Sequence, residues 1–120
     1  FDNDYFFNFL DRARGAGIEA PIVPGILPVT NFQQVARFSS VCGASVPGWF
    51  AHRFEGLDED PKMCQLVAAY TAAEQCFGLL ESGINEFHFY TLNRADLVFA
   101  ICHMLGVRAG ASRIMERNSA

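Results

Sequence analysis

From Asn85 to Leu97 the chain reads NEFHFYTLNRADL, and an apolar alternation gives way to a polar cluster. Phe87 and Phe89 alternate with His88 as in a strand. Asn93 stands where it can cap a helix with the face Leu97, Ile101, Met104 and Leu105, ending at Gly106. Tyr90, Asn93 and Arg94 therefore crowd a strand-to-helix junction. Tyr90 offers a flat ring with a polar tip, and Arg94 a planar fork that matches a carboxylate. Each has a plainer reading. Tyr90 can be a structural tyrosine with its hydroxyl satisfied locally, and Arg94 a solvated residue, although a cation in a helix's opening turn opposes the dipole. His88 reads first as a hydrogen-bonded structural histidine and second as a proton carrier.

Other reactive side chains point to no metal. Cys42, Cys64, Cys76 and Cys102 are widely and irregularly spaced, without a C-x-x-C pair. Three lie in apolar helical stretches, where a free cysteine acts as a small hydrophobe. His103 follows Cys102 on a helix, so the two side chains diverge by about 100°. The acidic run GLDEDPK lacks the ordered oxygen ligands and closing Glu of a calcium loop. In it Asp60 reads as a helix cap and Pro61 as the first helical residue.

Helices and strands alternate around these groups. DYFFNFLDRARGAG from Asp4 gives a first helix with Asp as cap, the face Phe6, Phe9, Leu10 and Ala13, and a stop at Gly15 or Gly17. APIVPGILPV is a strand buried on both faces, with Pro24 and Pro28 implying a bulge or an early end near Gly25. Thr30 and Gln33 form a T-x-x-Q capping box for a helix starting near Asn31. Pro47 opens a short helix carrying Trp49, Phe50 and Phe54. The longest helix runs from Pro61 to about Ser82, with the face Leu66, Tyr70, Ala73, Phe77 and Leu80 and a stop at Gly83. The order helix, strand, helices, strand, helix implies α/β architecture with parallel strands and functional groups at their carboxyl ends. Two strands, or three if Phe1–Asp2 ends another, leave a sheet with uncovered edges.

The totals narrow the function. At 120 residues and 13.3 kDa the chain is one domain, 51% hydrophobic with twelve Phe. A net charge of −4, a pI near 5.2 and no basic stripe argue against nucleic acid. No apolar run approaches the ~20 residues of a membrane span, and no signal-peptide pattern opens the chain. Cytoplasmic location is expected. The first residue is Phe, so processing or truncation is expected.

PGILPVTNFQQVARF, followed by FHFYTLNRADLVFAICHMLGV, closely resembles the carboxy-terminal portion of methylenetetrahydrofolate reductase of the bacterial flavoprotein type. The likeness runs from YFFNFLDRARGAGI to LGVR. It implies a TIM (β/α)8 barrel of ~250 residues, of which this chain holds about two to three βα units over residues 1–107, with a flexible tail at 108–120. It also implies an FAD-dependent oxidoreductase that passes a hydride from NADH or NADPH to 5,10-methylenetetrahydrofolate, giving 5-methyltetrahydrofolate for methionine biosynthesis. Residue by residue, Gln34 resembles the family's folate-contacting glutamine and Phe38 its mobile stacking phenylalanine, which can also meet NAD(P)H. Tyr90, Leu92 and Arg94 fall at the rim of the final strand, with Arg94 facing the glutamate tail of folate. On spacing alone Phe38 also reads as core and Gln34 as a solvated surface residue.

The same resemblance puts the flavin cradle, the catalytic carboxylates and a glutamine of the sixth strand upstream of Phe1. No catalytic residue and no FAD ligand is then expected in this segment, and the chain alone should be inactive. Its expected partners are the rest of the barrel and further copies in a homo-oligomer. A non-catalytic half-barrel that associates with itself or a partner chain is the alternative. A small unrelated α/β binding domain is a third reading, and it requires both long motifs to be coincidences.

Overall fold

The computed structural model describes residues 1–107. The tail expected at 108–120 lies outside the described residues. The elements are α1 (Asn3–Gly15), β1 (Gly25–Ile26), α2 (Phe32–Val41), α3 (Gly48–Arg53), α4 (Pro61–Glu81), β2 (His88–Phe89) and α5 (Ala95–Met104).

The two strands pair in parallel with Gly25 opposite His88 and Ile26 opposite Phe89, so the α/β expectation holds. The paired stretch is shorter than the apolar runs implied, and proline accounts for much of this. Pro24 and Pro28 cannot donate to a ladder; the bonds that flank the pair use carbonyls of β1 instead, from His88 N–H to Pro24 O at 3.0 Å and from Tyr90 N–H to Ile26 O at 2.9 Å. The suggested third strand at Phe1–Asp2 is absent. Asp2 caps α1, its carboxylate accepting the Asp4 N–H at 2.9 Å, and Phe1 packs on Phe50. This also moves the α1 cap from Asp4 to Asp2.

Two other caps differ from the sequence reading. α2 is capped by Asn31, whose side chain accepts from Gln34 N–H at 3.1 Å, and not by the Thr30–Gln33 box. α5 has Arg94 as its N-cap with no side-chain bond, because Asn93 is taken up in a turn. Asp60 does cap α4, accepting from Met63 N–H at 3.1 Å, with Pro61 in the first turn. At the other end of α4, Gly83 takes φ +91°, so that Gly83 N–H reaches Leu80 O and Ile84 N–H reaches Leu79 O. That pair of bonds satisfies carbonyls the helix would leave open, and equivalent pairs close α1, α2 and α5.

α4 buries a different face from the one its large residues mark. Cys64, Ala68, Ala69, Ala72, Ala73, Cys76 and Leu79 point inward, while Leu66, Tyr70 and Phe77 are exposed. Small residues let the helix axis approach its neighbours closely, and the bulky side chains are displaced to the opposite side. Phe9 of α1 and Met104 of α5 are likewise exposed, and Phe7 packs on the core in place of Phe9. One core joins Ile26, Ala69, Ala72, Cys76, Leu79, Leu97 and Ile101, tying α4 and α5 onto the sheet. Burial pushes the Cys76 thiol up to about 11, which leaves it protonated and inert at neutral pH. A second core gathers Val29, Phe50, Phe54, Cys64 and Ala68 beneath α2 and α3, with Phe32 stacked on Phe54 at 5.7 Å.

Candidate functional site at the carboxyl ends of the strands

Each strand runs into a helix whose cap comes shortly after it, Asn31 after β1 and Arg94 after β2. Because the strands are parallel, both helix N-termini rise from the same end of the sheet. That is where α/β proteins assemble their sites.

Tyr90, Leu92 and Arg94 lie within one short segment there. The turn from Thr91 to Arg94 is closed by a bond from Arg94 N–H to Thr91 O at 2.7 Å, with φ +45° at Leu92 and +64° at Asn93. Positive φ at both central residues is the pattern of a mirror-image turn, which asparagine tolerates and leucine does not. The turn holds Leu92 outward, 71% exposed. Arg94 is half-buried, with its Nε 3.6 Å from Asp96 Oδ1. No bond from its terminal nitrogens to another described residue is formed, so that edge of the fork is available to an incoming carboxylate.

Tyr90 is 51% exposed, and its hydroxyl makes no hydrogen bond with a described residue, against the locally satisfied reading. The ring lies over the backbone of Gly25, with its other contact the edge of the His88 ring at 4.8 Å and 74°. His88 and Tyr90 thus share the face opposite Phe87 and Phe89, which pack on the core. His88 is an exposed ring partner of Tyr90, not the hydrogen-bonded structural histidine expected.

Gln34 sits in the first turn of α2 and is exposed. Phe38 follows one turn later and is 64% exposed, so the core reading of Phe38 fails; Phe32, Val35 and Ser39 face inward instead. The fold starts α2, which carries Gln34 and Phe38, from the same end of the sheet as the segment of Tyr90, Leu92 and Arg94. No hydrogen bond, ion pair or ring contact joins the two groups among the described residues.

Sequence reasoning missed a further cluster. Arg53 lies between the rings of Trp49 and Tyr70, at 4.9 and 5.7 Å, and pairs with Glu74 through both terminal nitrogens. The bonded Arg53 holds the Glu74 carboxyl below its ordinary range, and Glu74 raises the guanidinium in turn. The partners are far apart in sequence on two helices, so no local pattern announces them. No group of His, Cys, Asp or Glu that could hold a metal occurs among the described residues, and no described helix is long and apolar enough to cross a membrane.

A parallel α/β unit with polar and aromatic groups at its strand ends defines a broad class of ligand-binding proteins. Within it, the profile of the methylenetetrahydrofolate reductase family matches residues 1–106, and the chain belongs to that family. It is 46% identical over 110 residues to the 5,10-methylenetetrahydrofolate reductase of Escherichia coli (strain K12), which covers 92% of this chain and 37% of that protein. Its identity to the enzyme of Pectobacterium carotovorum is 46% over 113 residues, or 94% of this chain and 38% of the relative. Similarity reaches the Arabidopsis thaliana methylenetetrahydrofolate reductase (NADH) 1, at 31% over 107 residues, 89% of this chain and 18% of the plant protein. The chain thus spans little more than a third of the bacterial relatives it matches. Membership in the family removes the unrelated binding domain from consideration.

Proposed function

We propose that this chain supplies one wall of the folate site in an NAD(P)H-dependent methylenetetrahydrofolate reductase, built as a (β/α)8 barrel whose remaining strands lie outside these residues. The observation that carries this reading is the shared strand end, from which α2 rises with Gln34 and Phe38 exposed and α5 follows a turn that holds out Leu92 and Arg94. Phe38 and Tyr90 suit the flat p-aminobenzoyl portion of folate, the Gln34 amide can both donate and accept, and the open edge of Arg94 suits a terminal carboxylate.

FAD, when bound, supplies the hydride relay between nicotinamide and folate. The family resemblance puts the flavin ligands in the part of the enzyme beyond this chain, and on that reading the chain alone is expected to be inactive.

The test is a chimera in which residues 1–106 replace the matching third of the Escherichia coli relative. It should bind flavin and reduce 5,10-methylenetetrahydrofolate. Arg94→Ala should raise the folate KM roughly 10- to 100-fold, as for a lost charge-assisted bond, with nicotinamide oxidation changed less than twofold. Phe38→Ala should weaken both substrates without loss of flavin. Equal damage by Arg94→Ala to both half-reactions, or flavin loss in Phe38→Ala, contradicts the assignment. Flavin binding and turnover by the 120-residue chain alone would refute the single-wall reading.

A further inference from the structure

We infer that Gly25 is a positioning residue, and that the space left by its missing side chain is the seat that fixes Tyr90. Gly25 stands in β1 directly opposite His88, two residues before the register position of Tyr90, which follows β2. A Cβ on Gly25 would lie 2.6 Å from Tyr90 Cε2, 3.2 Å from Cζ and 3.1 Å from Oη. The ring therefore rests on the bare backbone of β1. Nothing else at this position asks for glycine: its φ is not in the left-handed region, and the β-ladder itself accepts any side chain.

The seat is walled on a second side. The His88 ring meets Tyr90 edge-on at 4.8 Å, and the Tyr90 N–H is held by Ile26 O at 2.9 Å, so neither the root nor one flank of the side chain is free to shift. A methyl group at residue 25 would force the ring to retreat about 1 Å to reach ordinary carbon contact near 3.5 Å. Against His88, that retreat means a change of rotamer, which swings the hydroxyl away from the strand end. Strand β1 thus determines, through an absence, where an aromatic wall of β2 stands. What Tyr90 faces is taken from the folate reading above, on which this inference rests. The seat itself depends only on the two strands.

The test is a double-mutant cycle in the chimera, with Gly25→Ala, Tyr90→Ala and the pair, read by thermal unfolding and by the folate KM. Misplacing a substrate-facing group by 1 Å costs up to about 100-fold. Gly25→Ala should lower the Tm by about a degree or two and raise the folate KM at least tenfold, with flavin occupancy retained. In the Tyr90→Ala background the same change should raise the Tm slightly, because alanine removes unfolded-chain freedom, and should leave the KM unmoved. A Gly25→Ala loss of Tm of equal size in both backgrounds overturns the seat, as does a Gly25→Ala variant indistinguishable from the parent. Coupling in Tm with a folate KM unmoved by any Tyr90 variant upholds the seat and overturns the folate assignment of Tyr90.

Discussion

Replacing Leu92 with glycine separates what the turn costs the fold from what it gives the site. Leucine at φ +45° sits in a region that costs an L-residue roughly 1–2 kcal/mol. Glycine removes that strain but brings back about 0.5–1 kcal/mol of unfolded-chain freedom. Because Leu92 is 71% exposed, little burial is lost, and the net expectation is a gain of about 0.5–1 kcal/mol, or roughly 1–4 °C in Tm for a barrel-sized domain. Binding should move the other way. A leucine side chain that becomes about half covered by folate contributes on the order of 1–1.5 kcal/mol, so the glycine variant should bind folate roughly tenfold more weakly. Leu92→Ala is the control: it keeps an L-residue in the strained turn, loses the same contact, and should show no gain in Tm. Differential scanning calorimetry and folate KM in the chimera read both quantities. A glycine variant that melts below the alanine variant, or that binds folate as tightly as leucine, refutes the argument that strain is retained there to present the side chain.

Two further outcomes follow from the caps and the ion pair. Asn31→Ala should destabilise the chain by about 1 kcal/mol and Thr30→Ala by much less; a reversed order in denaturant melts would restore the T-x-x-Q box. The Glu74 carboxyl sits below its ordinary value of 4.5 because Arg53 bonds to it, so the stability it adds is intact above pH 4.5 and disappears as pH falls through the lower folded value. Both partners are partly exposed, which limits the effect to less than about 1 kcal/mol. Glu74→Gln should therefore lie below the parent at pH 7 and converge with it as the pH falls through the lower folded value in urea titrations, and a gap that stays constant across the acid range would assign the loss to something other than the charge.

The alternation of elements, the long helix, its Asp60 cap and the glycine stops were legible because each is written in neighbouring residues. Gly83 and Gly106 end their helices as their positions imply, since the left-handed residue and its two bonds lie within a few positions of one another. Three caps, at Asp2, Asn31 and Arg94, fell one or two residues from the expected positions; the larger failures were decided at a distance. Large apolar residues on α4 suggested one inward face, yet the helix buries alanines and cysteines because the sheet and α5 approach it closely. Phe38 had the spacing of a core residue, and only the packing of Phe32 and Val35 beneath α2 shows it facing out. Leucine is not a turn former, so the bend at Leu92 carried no local signal. The candidate site residues came from likeness to a family; their shared end of the sheet came from the parallel pairing.

The alanine-lined side of α4 makes tolerance to change lopsided. Alanine surrenders no rotamer freedom on burial, so this helix docks at small entropic cost, but each inner alanine position is filled by a single methyl and has no room to grow. Substitutions to valine or leucine at Ala68, Ala69 or Ala72 would pry the helix from the elements it packs on, whereas Leu66 and Phe77 on its back take no part in either core of residues 1–107. Engineering for tighter packing therefore has no room on the inner side of this helix.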